Sequence, residues 1–443
     1  MAESGVSIER AVALKVLRRV EDGAYADRAL SAEARRAELD PRGRAQAMRL
    51  AYGAVQRRRT LDWLIDEALD RPGAIEPAVR DILRLGAYEL AFSDGVPPHA
   101  AVDQAVRQAR GLRGSGRRAS ARAGLVNAVL RRVAGEAAGR LAALEGAGAE
   151  SVALLHSMPD WIAHRLVAAL GLRDAEGVMA AAGEPAESAL RWNPLRGPRA
   201  TVEAALPPDW TRGALAPWSY VLAGGFALED SDIWMRGRAM AQSRASQLVA
   251  HALDPRPGER IIDLTAAPGG KTTHIAALAR GAVDITAVEK HESRARALEA
   301  TCARMGARVR VVVGDALTVP LEGGADAVLV DPPCTGTGVL SARPDARWRR
   351  REEALGPLVE LQAGLLARAL ALVRPGGRVV YSTCSLLSEE NEEILAPYAT
   401  RLDDLGALAP DAAHPGLPGA LRTLPHLHGT DGFVIARLRG EGA

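Results

Sequence analysis

The chain has 443 residues, 48% of them hydrophobic and 25% charged, with a formal net charge of +2. That length fits two or three domains, and the balance is ordinary for a globular protein, so neither a wholly disordered chain nor a strongly cationic tail is expected. No apolar run near the ~20 residues that cross a bilayer stands out, and Met1-Ala2-Glu3-Ser4-Gly5 has no basic stretch leading into an apolar one, so neither a secretory signal nor a membrane partner is expected.

Residues 1–135 read as an all-α bundle. Apolar residues recur at helical spacing over 8–20, 45–55, 61–69, 79–92, 101–109 and 125–133. Asp40-Pro41, Arg71-Pro72-Gly73 and Val96-Pro97-Pro98 divide these stretches. A basic loop, Gly111 to Arg118, separates the last two. Residues 136–235 read as a small mixed α+β module, with a helix over 161–170 and further elements over 189–193 and 201–206. From 236 to 443 strands and helices alternate. Strands are expected over 260–264, 284–288, 309–313, 327–330, 378–381 and 432–438, and helices over 271–279, 293–305 and 355–372. That alternation predicts a mostly parallel sheet with helices on both faces, an α/β domain of doubly wound type.

Lysine stands only at 15, 271 and 290, and arginine carries the remaining positive charge. The arginines suit phosphate contacts and base stacking, but a coding bias that also enriches alanine accounts for them equally. The three cysteines are Cys302, Cys334 and Cys384. They cannot all pair, which points to a reducing cytoplasm. No spacing suits zinc, so no metal is expected. Cys302 lies inside a helix with no motif and reads as an inert buried thiol. Cys334 and Cys384 each sit just past an apolar strand, in Asp331-Pro332-Pro333-Cys334 and Ser382-Thr383-Cys384-Ser385. Strand C-termini of an open α/β sheet face the ligand crevice, so both thiols are placed for chemistry.

Asp263-Leu264-Thr265-Ala266-Ala267-Pro268-Gly269-Gly270-Lys271-Thr272 follows a strand and opens a helix, a setting in which a ligand can approach the backbone and the helix N-terminus. It is not a P-loop, because Thr265 stands where the first glycine is required, and it is not a dinucleotide fingerprint. Asp263, Glu289, Asp315 and Asp331 fall at or just past four successive strands and are expected to line one crevice. An acid after the second strand is placed for ribose hydroxyls, and the others suit an adenine amine and an ammonium group. A ligand with those groups and no phosphate is S-adenosylmethionine.

The motifs at 263–272, Asp331 to Gly338, Arg343-Pro344-Asp345-Ala346-Arg347-Trp348, Ser382 to Ser385 with Glu389-Glu390-Asn391-Glu392, and Asp431-Gly432-Phe433 together resemble the RNA 5-methylcytosine methyltransferases. Ala51-Tyr52-Gly53, Leu61 to Ile65, Pro97 to Val102 and Gly124 to Arg131 resemble the NusB-like RNA-binding domain joined to that catalytic domain in a ribosomal branch of the family. The resemblance implies a Rossmann-like class I methyltransferase domain with a seven-stranded sheet, preceded by a NusB-like bundle. It implies methyl transfer from S-adenosylmethionine to carbon 5 of a cytosine in small-subunit ribosomal RNA, before full assembly, by a monomer. Cys384 is then the nucleophile, Cys334 assists product release, Asp331 contacts the base or the cofactor amino group, and Lys271 orients Asp331 or the nucleophile. Thr265, Ala266, Ala267, Pro268, Gly269, Gly270, Lys271, Glu289, Asp315 and Asp331 would hold the cofactor. Ser243 and Arg244 stand where acids are frequent in the family, and Thr265 replaces a frequent cysteine.

Alternatives remain at this stage. The target could be a cytosine of tRNA or large-subunit RNA, or the chain could be a non-catalytic RNA-binding assembly or antitermination factor, which would have no need of both thiols. Arg347, Arg349, Arg350 and Arg351 around Trp348 read equally as an RNA-phosphate site or a solvated helix face. His99 and His274 read as helix-end or packing residues.

Overall fold

The computed structural model of the chain describes residues 5–114, 116–146, 148–224 and 226–441, apart from the side chain of Ala74. Ser115 of the basic loop and residues 1–4 of the N-terminal reading lie outside these. The chain divides into two compact units, Met1–Pro185 with Leu340–Arg350, and Ala186–Val339 with Arg351–Ala443.

The first unit is helical: α1 (Ile8–Glu21), α2 (Ala26–Arg36), α3 (Pro41–Gln56), α4 (Arg58–Glu67), α5 (Pro77–Phe92), α6 (Pro98–Arg110), α7 (Gly116–Ala142), α8 (Ala149–Leu155), α9 (Asp160–Leu170) and α10 (Leu172–Ala181). Local chemistry sets the starts. The Ser7 hydroxyl accepts the Arg10 N–H at the head of α1, and Asp40 with Pro41 opens α3. Val12, Val16, Leu50, Ile82, Leu83, Leu85 and Leu130 share one core. α2 was not expected from sequence. Its buried face is Ala26, Ala29, Leu30 and Ala34, too little bulk to mark a period.

The expected 136–235 module is not a unit of its own. Residues up to 185 join the helical bundle and the rest join the second unit. Backbone bonding explains the first half: the Thr60 hydroxyl donates to the Leu154 carbonyl at 2.6 Å, and the Arg59 N–H donates to the Ser157 hydroxyl at 2.9 Å.

Residues 340–350 also belong here. Arg347 is 0% exposed and has no acidic partner among the described residues. Its guanidinium donates to the carbonyls of Gln56, His156, Ser157 and Ala182, which end α3, α8 and α10. Helix C-terminal carbonyls lack intrahelical donors and carry the negative end of the helix dipole, so three helix ends replace a carboxylate. Burial, with Arg57 nearby, lowers the Arg347 pKa to about 9. Trp348 donates its indole N–H to the Val55 carbonyl, and Arg349 pairs with Asp345 and donates to Gly23 and Ala24. Arg347 and Arg349 are therefore neither a phosphate site nor a solvated face, because main-chain carbonyls occupy them.

The second unit opens with a small antiparallel sheet in the order β2-β3-β1-β4, built from β1 (Ala189–Trp192), β2 (Thr211–Arg212), β3 (Ser219–Val221) and β4 (Ala239–Ala241), with short helices α11 (Arg199–Glu203) and α12 (Asp232–Met235). Then come α13 (Arg244–Leu253), β5 (Arg260–Asp263), α14 (Gly270–Leu278), β6 (Asp284–Glu289), α15 (Glu292–Met305), β7 (Arg310–Val313) and β8 (Ala325–Val330). α16 (Ala346–Arg349) is the Arg347 turn. α17 (Leu355–Leu372), β9 (Val373–Thr383), α18 (Glu392–Leu395), β10 (Leu421–Thr423), α19 (Pro425–His428) and β11 (Phe433–Arg439) close the chain.

The large sheet runs β10-β11-β9-β8-β5-β6-β7, with β11 antiparallel to both its neighbours, β10 and β9, and every other pair parallel. β5 pairs with both β6 and β8, so the strand order reverses beside it, and the crevice outside the C-terminal ends of β5 and β8 is the switch point where ligands bind such sheets. The stretch Glu352–Leu372, with hydropathy 1.3, is long and apolar enough by length and composition to cross a membrane, contrary to the reading above. Its Leu365, Leu366, Ala369 and Leu372 are buried in the core against β8 and β9, which accounts for the apolarity.

Candidate active site

Three strand ends repeat one local device. Asp263 at the end of β5 accepts the Thr265 N–H at 3.2 Å, Glu289 at the end of β6 accepts the His291 N–H at 2.9 Å, and Asp315 past β7 accepts the Leu317 N–H at 3.0 Å. Each carboxylate turns back on the N–H two residues ahead, fixing the loop that leaves its strand. Their exposures differ. Asp263 is 1% exposed, and its other oxygen accepts the Thr272 hydroxyl at 2.7 Å. Burial pushes its pKa up to about 6 despite those donors. Asp263 therefore braces the turn from beneath and does not line the crevice, as all four acids were expected to do. Asp315 is ion-paired with Lys290 at 2.9 Å, and that hydrogen bond holds its carboxyl below the usual range.

Asp331 breaks the pattern. Its residue two ahead is Pro333, which has no N–H to offer. The carboxylate instead accepts from the Lys271 ammonium at 2.7 Å and the Ser382 hydroxyl at 3.0 Å, while the Asp331 N–H donates to the Thr265 hydroxyl at 2.9 Å. Thr265 thus ties the end of β5 to the end of β8. Burial lowers the Lys271 pKa, but the charges of Asp331 first, then Cys384 and Asp263, outweigh it and hold the ammonium above its ordinary value.

Cys334 and Cys384 are brought together with 3.2 Å between their sulfurs, both as free thiols. The hydrogen bond to Cys384 and then burial push the Cys334 thiol well up. Cys302 stands apart in α15, and burial pushes its thiol up to about 12, as expected of an inert residue.

A buried polar cluster beneath the thiols is the part that sequence reasoning missed. Glu390, 0% exposed, accepts the Thr335 N–H at 2.8 Å, the Thr335 hydroxyl, and the Gln362 amide at 2.9 Å. The Thr335 hydroxyl also bonds Ser385 at 3.0 Å, and Asn391 holds the carbonyls of Ser385 and Leu387. These bonds join the loop bearing Cys334 to the loop bearing Cys384. The Glu-Glu-Asn motif was the available signal, but the partners of Glu390, Thr335 and Gln362, lie 55 and 28 residues away. Gly338 and Gly432 also meet here: a Cβ on Gly338 would lie 2.1 Å from the Gly432 carbonyl oxygen, so only glycine fits.

The departures from the family pattern have local partners. Ser243 caps α13, and Arg244 pairs with Glu187 and donates to the carbonyls of His428 and Gly429. His274 is buried against Trp218 and His251, a packing residue that burial keeps neutral. His99 is exposed on the first unit. Among the described residues no group of three or more histidine, cysteine, aspartate or glutamate side chains could hold a metal ion.

The crevice residues fit S-adenosylmethionine. Thr265, Ala266, Ala267 and Pro268 form a small-residue turn, Gly269 at φ 103° and Gly270 open α14, and Glu289, Asp315 and Asp331 supply acceptors for hydroxyls and amines.

Residues 250–439 match the family model of the 16S rRNA methyltransferase RsmB/F, and residues 7–135 match that of the NusB family. The chain is 36% identical over 435 residues to ribosomal RNA small subunit methyltransferase B of Thermus thermophilus, covering 97% of each. It is 30% identical over 450 residues to the probable ribosomal RNA small subunit methyltransferase B of Bacillus subtilis, covering 98% of this chain and 99% of that one. Its fold is similar to the crystal structure of PH0851, with a TM-score of 0.79 at 26% identity over 98% of this chain and 99% of the other.

Proposed function

Because the chain belongs to the 16S rRNA methyltransferase RsmB/F family, methyltransferases of small-subunit ribosomal RNA that use S-adenosylmethionine, we propose that it methylates carbon 5 of a cytosine through a covalent bond from Cys384. The observation that carries this reading is the thiol pair 3.2 Å apart, beside the Lys271–Asp331 ion pair.

Carbon 5 of cytosine is a weak nucleophile. Addition of the Cys384 thiolate to carbon 6 breaks the 5,6 double bond and makes carbon 5 enamine-like, the general gain of nucleophilic catalysis. Thr265 to Lys271, Glu289, Asp315 and Asp331 hold S-adenosylmethionine, which when bound supplies an electrophilic methyl group. Asp331, its charge balanced by Lys271, contacts the base or the donor's amino group. Cys334, after passing its own thiol proton to solvent, then takes the carbon 5 proton as a thiolate. The electron pair of that bond restores the double bond, and the Cys384–carbon 6 bond breaks with its pair returning to sulfur. The bond to Cys384 is the first cause holding the Cys334 thiol up, and addition of Cys384 to the base ends that bond, which eases loss of the Cys334 proton.

The test is transfer to undermodified small-subunit RNA with bisulfite mapping; no new 5-methylcytosine on any RNA sinks the reading. Cys384→Ala should lower transfer by at least ~10³-fold and trap no adduct. Cys334→Ala should accumulate a covalent RNA adduct as a slow gel band. An adduct with Cys384→Ala instead reverses the two roles.

A further inference from the structure

Arg191 lies in the middle of the small antiparallel sheet, on β1, and is 0% exposed. No acidic partner of Arg191 is present among the described residues. An unpaired buried charge is strongly unfavourable unless hydrogen bonds compensate it, so its contacts merit attention. The Nε donates to the Gln242 side-chain oxygen at 2.8 Å, and Nη2 donates to the Thr273 hydroxyl at 3.1 Å. Thr273 is in the first turn and a half of α14, and its hydroxyl donates in turn to the Gly269 carbonyl at 2.7 Å. Gly269 is the φ 103° residue that ends the Ala266 to Gly270 turn. Gln242 continues the other way, donating to the Ser246 carbonyl and hydroxyl at 3.3 Å near the head of α13. Two residues on, Asn193 does the same for the end of α15, donating to the carbonyls of Gly237 and Met305 at 2.8 and 2.7 Å.

A threonine hydroxyl that accepts from a cation donates a stronger hydrogen bond onward, because each bond polarises the next. We propose that Arg191 is a positioning residue for methyl-donor binding, acting through Thr273 to hold the Gly269 turn in its ligand-ready shape without touching the ligand. The small sheet thereby reaches into the donor site, a role that its sequence does not advertise. The inference rests on the reading that residues 265–271 hold S-adenosylmethionine.

The experiment is calorimetric titration of the full chain with S-adenosylhomocysteine, alongside KM and kcat for S-adenosylmethionine. Arg191→Met should raise the Kd and the KM about tenfold to a hundredfold, the loss of one charge-assisted hydrogen bond, while kcat at saturation stays within about threefold of wild type. Thr273→Val should raise the Kd by about tenfold and Thr273→Ser should restore it, and the double variant Arg191→Met with Thr273→Val should be no weaker than the worse single one. The threonine pair keeps the test sharp if Arg191→Met does not fold. A Kd for Thr273→Val within about twofold of wild type, or a folded Arg191→Met that binds as wild type does, overturns the proposal. If the wild-type chain binds no S-adenosylhomocysteine, the reading of the donor site falls instead.

Discussion

On the β5 to β7 side of the sheet, which we call the donor half after the proposed function, Asp263, Glu289 and Asp315 each accept an N–H two residues ahead. On the acceptor half, Cys334 and Cys384 are held by bonds that span 50 to 55 residues, through Thr335, Ser385 and Glu390. The donor half is thus a set of separate turns, each closed locally by one carboxylate, with Thr272 and Lys290 adding one further partner at Asp263 and Asp315. The acceptor half is one cooperative, mostly neutral cluster in which a single removal reaches both thiols. Asp331 belongs to both: it ends a strand as the other acids do, but its partners Lys271 and Ser382 are distant in sequence.

This contrast predicts how each half fails. Glu390→Ala orphans three donors at once and should cost about 3–5 kcal/mol of unfolding free energy while also depressing transfer, read by denaturant titration and by methyl incorporation. A cost below about 1 kcal/mol would show that the cluster is not cooperative.

Asp263 should show itself through pH. Burial raises its carboxyl to about 6, so the folded state binds its proton more tightly than the unfolded chain. The stability it contributes is full below the unfolded carboxylate value near ~4 and is lost as pH rises through 6, about 3 kcal/mol over that window. The stability difference between wild type and Asp263→Asn should therefore shift against the wild type between pH 4 and pH 7. A pH-independent difference breaks the assignment.

Pro333→Ala restores an N–H two residues past Asp331. The carboxylate should then be drawn into the local turn used by the other acids, lowering turnover by about tenfold with little change in stability, a loss comparable to one weakened hydrogen bond. Unchanged turnover would mean that Lys271 and Ser382 hold Asp331 without help from the missing donor. The smallest effect is expected at Asp315, half-buried and held by a local N–H and the well-exposed Lys290: Asp315→Asn should weaken S-adenosylhomocysteine binding a few-fold and leave melting unchanged, by calorimetry and circular dichroism.

The same contrast separates what the sequence discloses from what it hides. The strand-end acids and the turn at 265–270 were legible as local structure because each is a pattern of adjacent residues. The parallel strands and α17 were legible for the same reason. The thiols were visible as a coincidence of placement, but their 3.2 Å approach and the Glu390 cluster depend on pairings across β8 and β9 that periodicity does not encode. Asp263 was misplaced because strand-end position says nothing about which way a carboxylate turns; the Thr272 hydroxyl behind it decides that. Arg347 was misread more deeply. A run of arginines around a tryptophan looks like a surface, and only the folded bundle shows three helix ends converging on one guanidinium.

That convergence bears on how the protein is made. The helical unit has α1 to α10 in hand once residue 185 has been synthesised, yet the carbonyls ending α3, α8 and α10 still lack Arg347. The ribosome must first produce β1 to β8 before the missing cation emerges. The bundle is therefore finished late, from downstream sequence, and a gene cut at residue 185 would yield a bundle with those helix ends open. Exchange of this unit between genes must carry residues 340–350 with it, which makes the two halves a single inheritance and not a pair of beads on a string.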